Sequence, residues 1–166
     1  MSSGVASVYI SLGSNINRAT NTRAGVAALR AQYGELRLSS VYESVAIGFE
    51  GSHFYNMVIA LQTDAPVMTL VHGLKEIEER HGRLRQSPKF SSRTLDLDLL
   101  LYDNEIINQP CLQIPRHEII KHAFVLWPLA EIAPQLKHPQ LEKTYAELWR
   151  DFDKDKQQLK PVEFEF

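Results

Sequence analysis

The alternation of apolar and polar residues along the chain predicts four strands. β-branched and aromatic residues are concentrated from Val5 to Leu12 and from Phe54 to Thr63, as is typical of buried strands. Apolar and polar residues alternate from Leu36 to Glu43, which predicts a third strand. A fourth strand is expected from Leu95 to Tyr102, where leucine occupies most positions.

Two helical segments lie between these strands. The first, from Thr20 to Tyr33, is rich in alanine and is expected to end at Gly34. The second is expected to have Asp64 as its cap and Pro66 in its first turn, and to end at His81-Gly82. Its apolar residues recur at helical spacing and predict a buried stripe of Val67, Leu70, Val71, Leu74 and Ile77.

The rest of the chain is predicted to form loops, a hairpin and short helices. Loops are expected from Ser44 to His53 and over the basic residues 83–94, and a hairpin from Asp103 to Asn108. Helical pieces are expected after Pro115, over Phe124 to Ile132 with an interruption at Pro128, and over Leu141 to Phe152. The order strand, helix, strand, strand, helix, strand predicts an α+β fold, a ferredoxin-like antiparallel sheet with helices packed on it. No repeat or linker divides the sequence, so one domain over residues 1–166 is expected.

Charge and cysteine content exclude several classes of protein. Lys and Arg number 18 and Asp and Glu number 20, and the net charge of −2 argues against binding nucleic acid or a membrane by bulk charge. The single cysteine, Cys111, cannot form an internal disulfide, which fits a reducing compartment. The first residues do not resemble a signal peptide, and no stretch approaches the roughly 20 apolar residues of a membrane-spanning helix. A cytoplasmic protein is therefore expected.

Two aspartates in the fourth predicted strand form a candidate metal site. Strict alternation would place Leu95, Leu97, Leu99 and Leu101 on one face of the strand and both Asp96 and Asp98 on the other. Two carboxylates on one face repel each other unless a cation lies between them, and Mg²⁺ binds through one or two carboxylates together with phosphate oxygens. The simpler alternative is a solvated outer face, although aspartate is disfavoured in strands.

A run of basic residues leads directly into this acidic strand. It contains Arg83, Arg85, Lys89 and Arg93. Arginine donates to phosphate oxygens in a fork, so cations next to paired carboxylates predict a site for a phosphorylated substrate. The simpler alternative is a solvated basic loop, which is the more common fate of a charge run.

Residues 83–101 resemble the signature of the 6-hydroxymethyl-7,8-dihydropterin pyrophosphokinase family, in which Arg-x-x-Asp-Leu-Asp is the core and Arg93, Asp96 and Asp98 are the matching residues. The likeness extends in order through residues 8–15, 39–44, 54–56 and 124–134. It implies a Mg²⁺-dependent transferase that moves the β,γ-pyrophosphoryl unit of ATP to a reduced pterin in folate biosynthesis, releasing AMP.

The resemblance also implies a role for individual residues. Arg83 and Arg93 would be catalytic, and Asp96 and Asp98 would bind two Mg²⁺ ions. The implied pterin-binding residues are Ser44, Val45, Phe54, Asn56 and Phe124. The implied ATP-binding residues are Glu78, Arg85, Leu99, Gln113, Arg116, His117 and Lys121.

Departures from the family pattern keep a second hypothesis open. Arg116 stands where a histidine is common, His122 stands where an arginine is expected, and a usual proline-bearing segment is replaced by Ser44 to Gly48. A weakly active or non-catalytic paralogue that binds pterin or nucleotide is therefore the alternative. An RNA-binding module is a third, which the charge disfavours. The expected partners are ATP and a reduced pterin, with no nucleic acid and no membrane, and the expected state is a monomer.

Overall fold

The computed structural model describes residues 4–44, 53–82 and 95–166, apart from the side chain of Lys156. The strands are β1 (Ala6–Ser14), β2 (Leu36–Leu38), β3 (Val41–Ser44), β4 (Phe54–Thr63), β5 (Asp96–Tyr102), β6 (Ile107–Gln109), β7 (Leu112–Ile114) and β8 (Leu159–Val162). The helices are α1 (Arg18–Tyr33), α2 (Val67–Arg80), α3 (Glu118–Lys121), α4 (Ala123–Ile132) and α5 (Tyr145–Arg150), with a 3₁₀ turn at Lys154–Lys156.

The main sheet is antiparallel and has six strands. Its order is β5-β1-β4-β3-β8, with β2 paired to β4 beside β3, while β6 and β7 form a separate hairpin. An antiparallel sheet with packed helices confirms the predicted α+β class. The order β5-β1-β4-β3 is compatible with the ferredoxin-like arrangement, and β2 and β8 are additions to it.

Apolar side chains cover both faces of the sheet because the central strand β1 alternates between two buried sets. Val8, Ile10 and Leu12 pack with the buried residues of α1 and α2. Tyr9 packs on the opposite face with α4 and with Tyr145 of α5. The sheet is therefore the middle of three layers. Among the described residues, no helix has the length and apolar character needed to cross a membrane.

The predicted common face of four leucines in β5 is wrong at one position. Ile10 pairs with Leu99, but Tyr9 pairs with Leu101, so Leu100 is an extra residue in the ladder. Beyond it, Leu101 turns to the face covered by α4, while Leu95, Leu97 and Leu99 stay on the opposite face. The bulge lies after the two aspartates and leaves their shared face unchanged.

Two predicted elements are shorter or differently bounded. The strand expected from Leu36 to Glu43 is interrupted at Ser39 and Ser40, where the Ser39 hydroxyl accepts from the Val58 backbone N–H at 2.9 Å. The helix expected over residues 141–152 forms only from Tyr145, where Thr144 and Glu147 make a capping box.

Three further expectations about the elements are wrong. The N-cap of α2 is Pro66 and not Asp64, which lies two residues before it. Among the described residues, no side chain caps this helix at its N-cap position. The hairpin pairs β6 with β7, and the turn at Asp103 only leads towards it. Helix α4 continues through Pro128, which is itself buried in the layer under the sheet. Packing there outweighs the loss of one backbone hydrogen bond.

Candidate active site

Strand register brings the candidate metal-binding residues and the candidate pterin-binding residue Asn56 to one face of the sheet. In β1, Gly13 pairs with Asp96 of β5 on one side and with Asn56 of β4 on the other. Asp98 pairs in the same way with Ser11, one pleat further along. Residues two apart on a strand share a face, so both carboxylates and the Asn56 amide lie on the side covered by α4. Two strand spacings, about 10 Å, separate Asp96 from Asn56.

The aspartate pair places two carboxylates close together on one face of β5. The Asp98 side chain is 36% exposed, and its Oδ1 lies 3.9 Å from Nη1 of Arg116. Partial burial and the neighbouring charge of Asp96 raise the pKa of Asp98 to about 7, although Arg116 acts in the opposite direction. Arg116 is shared with Glu118, whose Oε2 lies 2.7 Å from its Nη2. The pair therefore favours a bound cation or a shared proton.

The donor set fits magnesium better than a metal held by protein alone. Within the described ranges, no group of three or more His, Cys, Asp or Glu side chains is arranged to hold a metal ion. Mg²⁺ commonly takes one or two carboxylates and completes its octahedron with water and substrate phosphate. Asp96 and Asp98 supply that number of carboxylates.

A cavity of about 700 Å³ opens along the outer edge of β5, beside the aspartate pair. Asp98, Leu99, Glu78 and Arg116, all predicted site residues, contribute to its wall. Glu78 is 5% exposed, and its Oε2 accepts from the Leu97 backbone N–H at 2.7 Å. This bond ties α2 to the strand that carries both aspartates.

Of the other predicted ATP-binding residues within the described ranges, two adjoin the lining of this cavity and one does not. Gln113 follows the lining residue Leu112, His117 follows Arg116, and their side chains contact each other. Lys121 ends α3, outside the described lining of the cavity. His72, Lys75 and Cys111 are among the lining residues that the sequence prediction did not assign to the site. His72 and Lys75 are three positions apart on one helix face, which is the signal that could have indicated them.

Four of the predicted pterin residues lie on the same side of the sheet as the buried Asn56 side chain, which is one of them. Asn56 is 4% exposed, and its Nδ2 donates to Oγ of Ser44 at 2.6 Å. Phe54 pairs with Ser44 across β3 and β4. Phe124 lies in the first turn of α4 on the same side of the sheet, with the His122 ring stacked at 4.9 Å. These four residues share one region, whereas Val45, Arg83, Arg85 and Arg93 lie outside the described residues.

Gly13 has a role that the sequence prediction did not assign to it. The prediction placed it in a turn, but β1 continues through Ser14. A Cβ at Gly13 would lie 3.2 Å from Asn56 Oδ1 and 3.7 Å from a ring carbon of Phe54. A glycine inside a strand often marks a close approach, and this one leaves open the space between Asn56 and Asp96.

Chemically, the arrangement suits a nucleotide-dependent transferase. Transfer of a phosphoryl-type group needs positioning and neutralisation of charge more than covalent help from the protein. Asp96 and Asp98 lie beside the cavity, and Arg116 lies 3.9 Å from Asp98, so charged groups for positioning phosphates are present. The Asn56 amide on the same face of the sheet can orient a second substrate.

Comparison with known proteins identifies the family. Residues 9–134 match the sequence model of 7,8-dihydro-6-hydroxymethylpterin-pyrophosphokinase (HPPK). The chain is 40% identical over 137 residues to the 2-amino-4-hydroxy-6-hydroxymethyldihydropteridine pyrophosphokinase of Haemophilus influenzae, covering 79% of this chain and 84% of that protein. Its identity to the Aquifex aeolicus protein of the same name is 34% over 145 residues, covering 86% and 90% respectively. The chain therefore belongs to the HPPK family, as the sequence motifs predict.

Solved structures agree with this assignment at the level of the fold. Wild-type Plasmodium falciparum HPPK-DHPS with pteroate has a TM-score of 0.70 and 16% sequence identity to this chain. The superposition covers 88% of this chain and 42% of that longer one. The two share an antiparallel sheet with packed helices.

Proposed function

We propose that the chain transfers pyrophosphate from ATP to 6-hydroxymethyl-7,8-dihydropterin, giving the pterin diphosphate and AMP in folate biosynthesis. The observation that carries the proposal is the register of β5, β1 and β4, which places Asp96, Asp98 and Asn56 on one face. Family membership over residues 9–134 supplies the chemistry.

ATP is proposed to bind along β5, where the cavity meets the aspartates. Glu78, Leu99 and Arg116 line that cavity and would contact the nucleotide. Gln113 and His117 adjoin lining residues in sequence and would meet the phosphates, and the sequence resemblance adds Lys121 of α3 to these contacts. The sequence resemblance adds Arg85 to the nucleotide contacts and gives Arg83 and Arg93 the catalytic role of stabilising transferred charge.

Asp96 and Asp98 are the residues that would hold Mg²⁺. The ion, when bound, would neutralise phosphate charge and hold the phosphate oxygens in place. The raised pKa of Asp98 supports this role, because burial and the neighbouring charge of Asp96 both disfavour a second negative charge there unless a cation is bound. Two ions is the number that the resemblance implies.

The pterin is proposed to lie over Gly13, against the Asn56 amide. The hydrogen bond from Asn56 Nδ2 to Ser44 orients the amide, and Oδ1 faces the space above Gly13, where it can accept from a ring N–H. Phe54 and Phe124 lie on the same side of the sheet and would contact the ring faces, with Val45 completing the set. The hydroxymethyl group would then point across β1 towards the aspartates.

Release of AMP tests the activity. The protein is incubated with ATP, with or without hydroxymethyl-dihydropterin and with or without Mg²⁺. We expect AMP only when all three are present. Wild-type protein that binds pterin or ATP but forms no AMP would favour the non-catalytic paralogue instead. A salt-dependent shift of single-stranded RNA would favour the RNA-binding alternative.

Asp96→Asn and Asp98→Asn test the metal assignment. Each is expected to lower the rate by at least about a hundredfold, on the scale of losing a preorganised charge-stabilising group. In EDTA the thermal stability of each variant should equal or exceed that of the wild-type protein, because the repulsion between the two carboxylates is relieved. Asp64→Asn, at an exposed position before α2, is the matched control and should behave as wild type. Near-normal turnover of either variant at millimolar Mg²⁺ would contradict the assignment.

Location and assembly are also part of the proposal. Cys111 is an exposed free thiol, which supports a reducing compartment such as the cytoplasm. A monomer is proposed as the working state, and sedimentation at two protein concentrations tests it.

A further inference from the structure

The segment from Gln157 to Leu159 contacts both sides of the proposed pterin site. Gln157 Oε1 accepts from the Ala123 backbone N–H at 2.7 Å, and Gln157 Nε2 donates to the Lys121 carbonyl at 2.8 Å. Two residues later, Leu159 begins β8 and pairs with Ser44 of β3. Ala123 directly precedes Phe124, so the segment joins the helix end that carries Phe124 to the strand end that carries Ser44.

Gln157 acts as a cap for α4 from a distant part of the sequence. The first N–H groups of a helix have no carbonyl partner within the helix. In the described part of the chain, the N-cap His122 makes no side-chain capping bond to α4. The Gln157 amide uses its acceptor on α4 and its donor on the last residue of α3, so it fixes the junction between the two helices.

We propose that Gln157 is a positioning residue for the pterin substrate, acting by holding Phe124 at a fixed place relative to Ser44 and Asn56. The inference rests on the proposed function, which assigns those three residues to the pterin. The hydrogen bond of 2.6 Å between Asn56 and Ser44 extends the connection from β8 through β3 to the amide. Gln157 lies beyond residues 9–134, the part of the chain that matches the family.

The effect of removing the Gln157 amide on pterin binding depends on the fraction of molecules in which the pterin site is formed. Without the Gln157 amide, the first turn of α4 loses one cap, and caps commonly shift local equilibria by about fivefold to tenfold. Apparent affinity falls in proportion to the population of the binding-competent state. The Michaelis constant for pterin should therefore rise by at most about fivefold to tenfold, because that substrate contacts the loosened turn.

Three variants test the proposal through rates of AMP formation, with pterin and ATP varied separately. Gln157→Ala should raise KM for pterin by up to about tenfold, with a smaller rise in KM for ATP through the contact to the Lys121 carbonyl and with kcat changed by less than about twofold. Gln157→Glu keeps an acceptor for the Ala123 N–H and loses the donor to the Lys121 carbonyl, so its KM for pterin should lie between the values of Gln157→Ala and wild type. Gln158→Ala, at the exposed neighbouring glutamine, is the matched control and should equal wild type.

Two outcomes would overturn the role of Gln157. One is an unchanged KM for pterin in Gln157→Ala. The other is a uniform loss, in which Tm and kcat fall and both Michaelis constants rise together, because that pattern indicates only a weakened fold. Absence of AMP formation by the wild-type protein would instead overturn the proposed function. Calorimetric titration of pterin into wild type and Gln157→Ala then still decides the positioning role, since equal dissociation constants would contradict it.

Discussion

Replacing Glu131 by alanine is expected to lower the free energy of unfolding by about 3 kcal/mol. The carboxylate of Glu131, on α4, accepts from the Tyr42 hydroxyl at 2.6 Å, from the Ser40 hydroxyl at 2.8 Å and from the Ser40 backbone N–H at 3.0 Å. Tyr42 is 3% exposed while Glu131 is exposed, and this part-buried bond to a charged acceptor contributes about 2 kcal/mol. Ser40 is exposed, so its two bonds together add about 1 kcal/mol.

Urea denaturation and thermal melts measure this loss. For a chain of this length, about 3 kcal/mol corresponds to a fall in Tm of about 6–12 °C. Burial and the hydrogen bond to Glu131 raise the pKa of Tyr42, so its hydroxyl stays a donor at neutral pH. Tyr42→Phe should therefore cost about 2 kcal/mol, and the double variant should cost about 2 kcal/mol less than the sum of the singles. Glu35→Ala, at an exposed glutamate, is the control. Additive losses, or equal midpoints for Glu131→Ala and Glu35→Ala, would refute the reasoning.

Two further predictions concern the site and the pH dependence of stability. Gly13→Ala places a methyl group 3.2 Å from Asn56 Oδ1. It should raise KM for pterin about tenfold, which corresponds to the loss of one hydrogen bond, while urea midpoints stay near wild type. An unchanged KM would contradict the proposed pterin position. Burial lowers the pKa of His138 below its usual 6.5, so the unfolded chain takes up the proton first. Its contribution to stability should be complete above about pH 6.5 and decline as the pH falls through the lowered folded-state pKa. His138→Gln should flatten that part of the urea-midpoint profile relative to wild type.

Local pattern was sufficient to predict the shared face of Asp96 and Asp98. Side-chain alternation is a property of one strand, and nothing in β5 interrupts it before the aspartates. The bulge at Leu100 depends on how β5 pairs with β1, so the run of leucines did not predict it. Gly13 was assigned to a turn because Ser14 and Asn15 follow it in the sequence. Pairing with β4 on one side and β5 on the other keeps it in β1.

The C-terminal strand and the contacts of Gln157 could not be predicted for the same reason. Leu159–Val162 contains a lysine and a proline and has no clear alternation, so only its pairing with β3 defines it as a strand. Proline is tolerated there because β8 is an edge strand. The hydrogen bond between Asn56 and Ser44 likewise joins residues 12 positions apart and requires the register of β3 on β4.

The geometry of the proposed reaction depends on the central strand β1. Asp96 and Asn56 flank Gly13 at two strand spacings, about 10 Å, which is enough to accommodate a hydroxymethyl group and the phosphates between metal and pterin. A side chain at Gly13 would occupy that gap, whereas its neighbours Leu12 and Ser14 are both fully buried. A single strand can therefore set the separation of the two proposed substrates, and the absence of a side chain at Gly13, one residue before the end of β1, leaves the space in which they would meet.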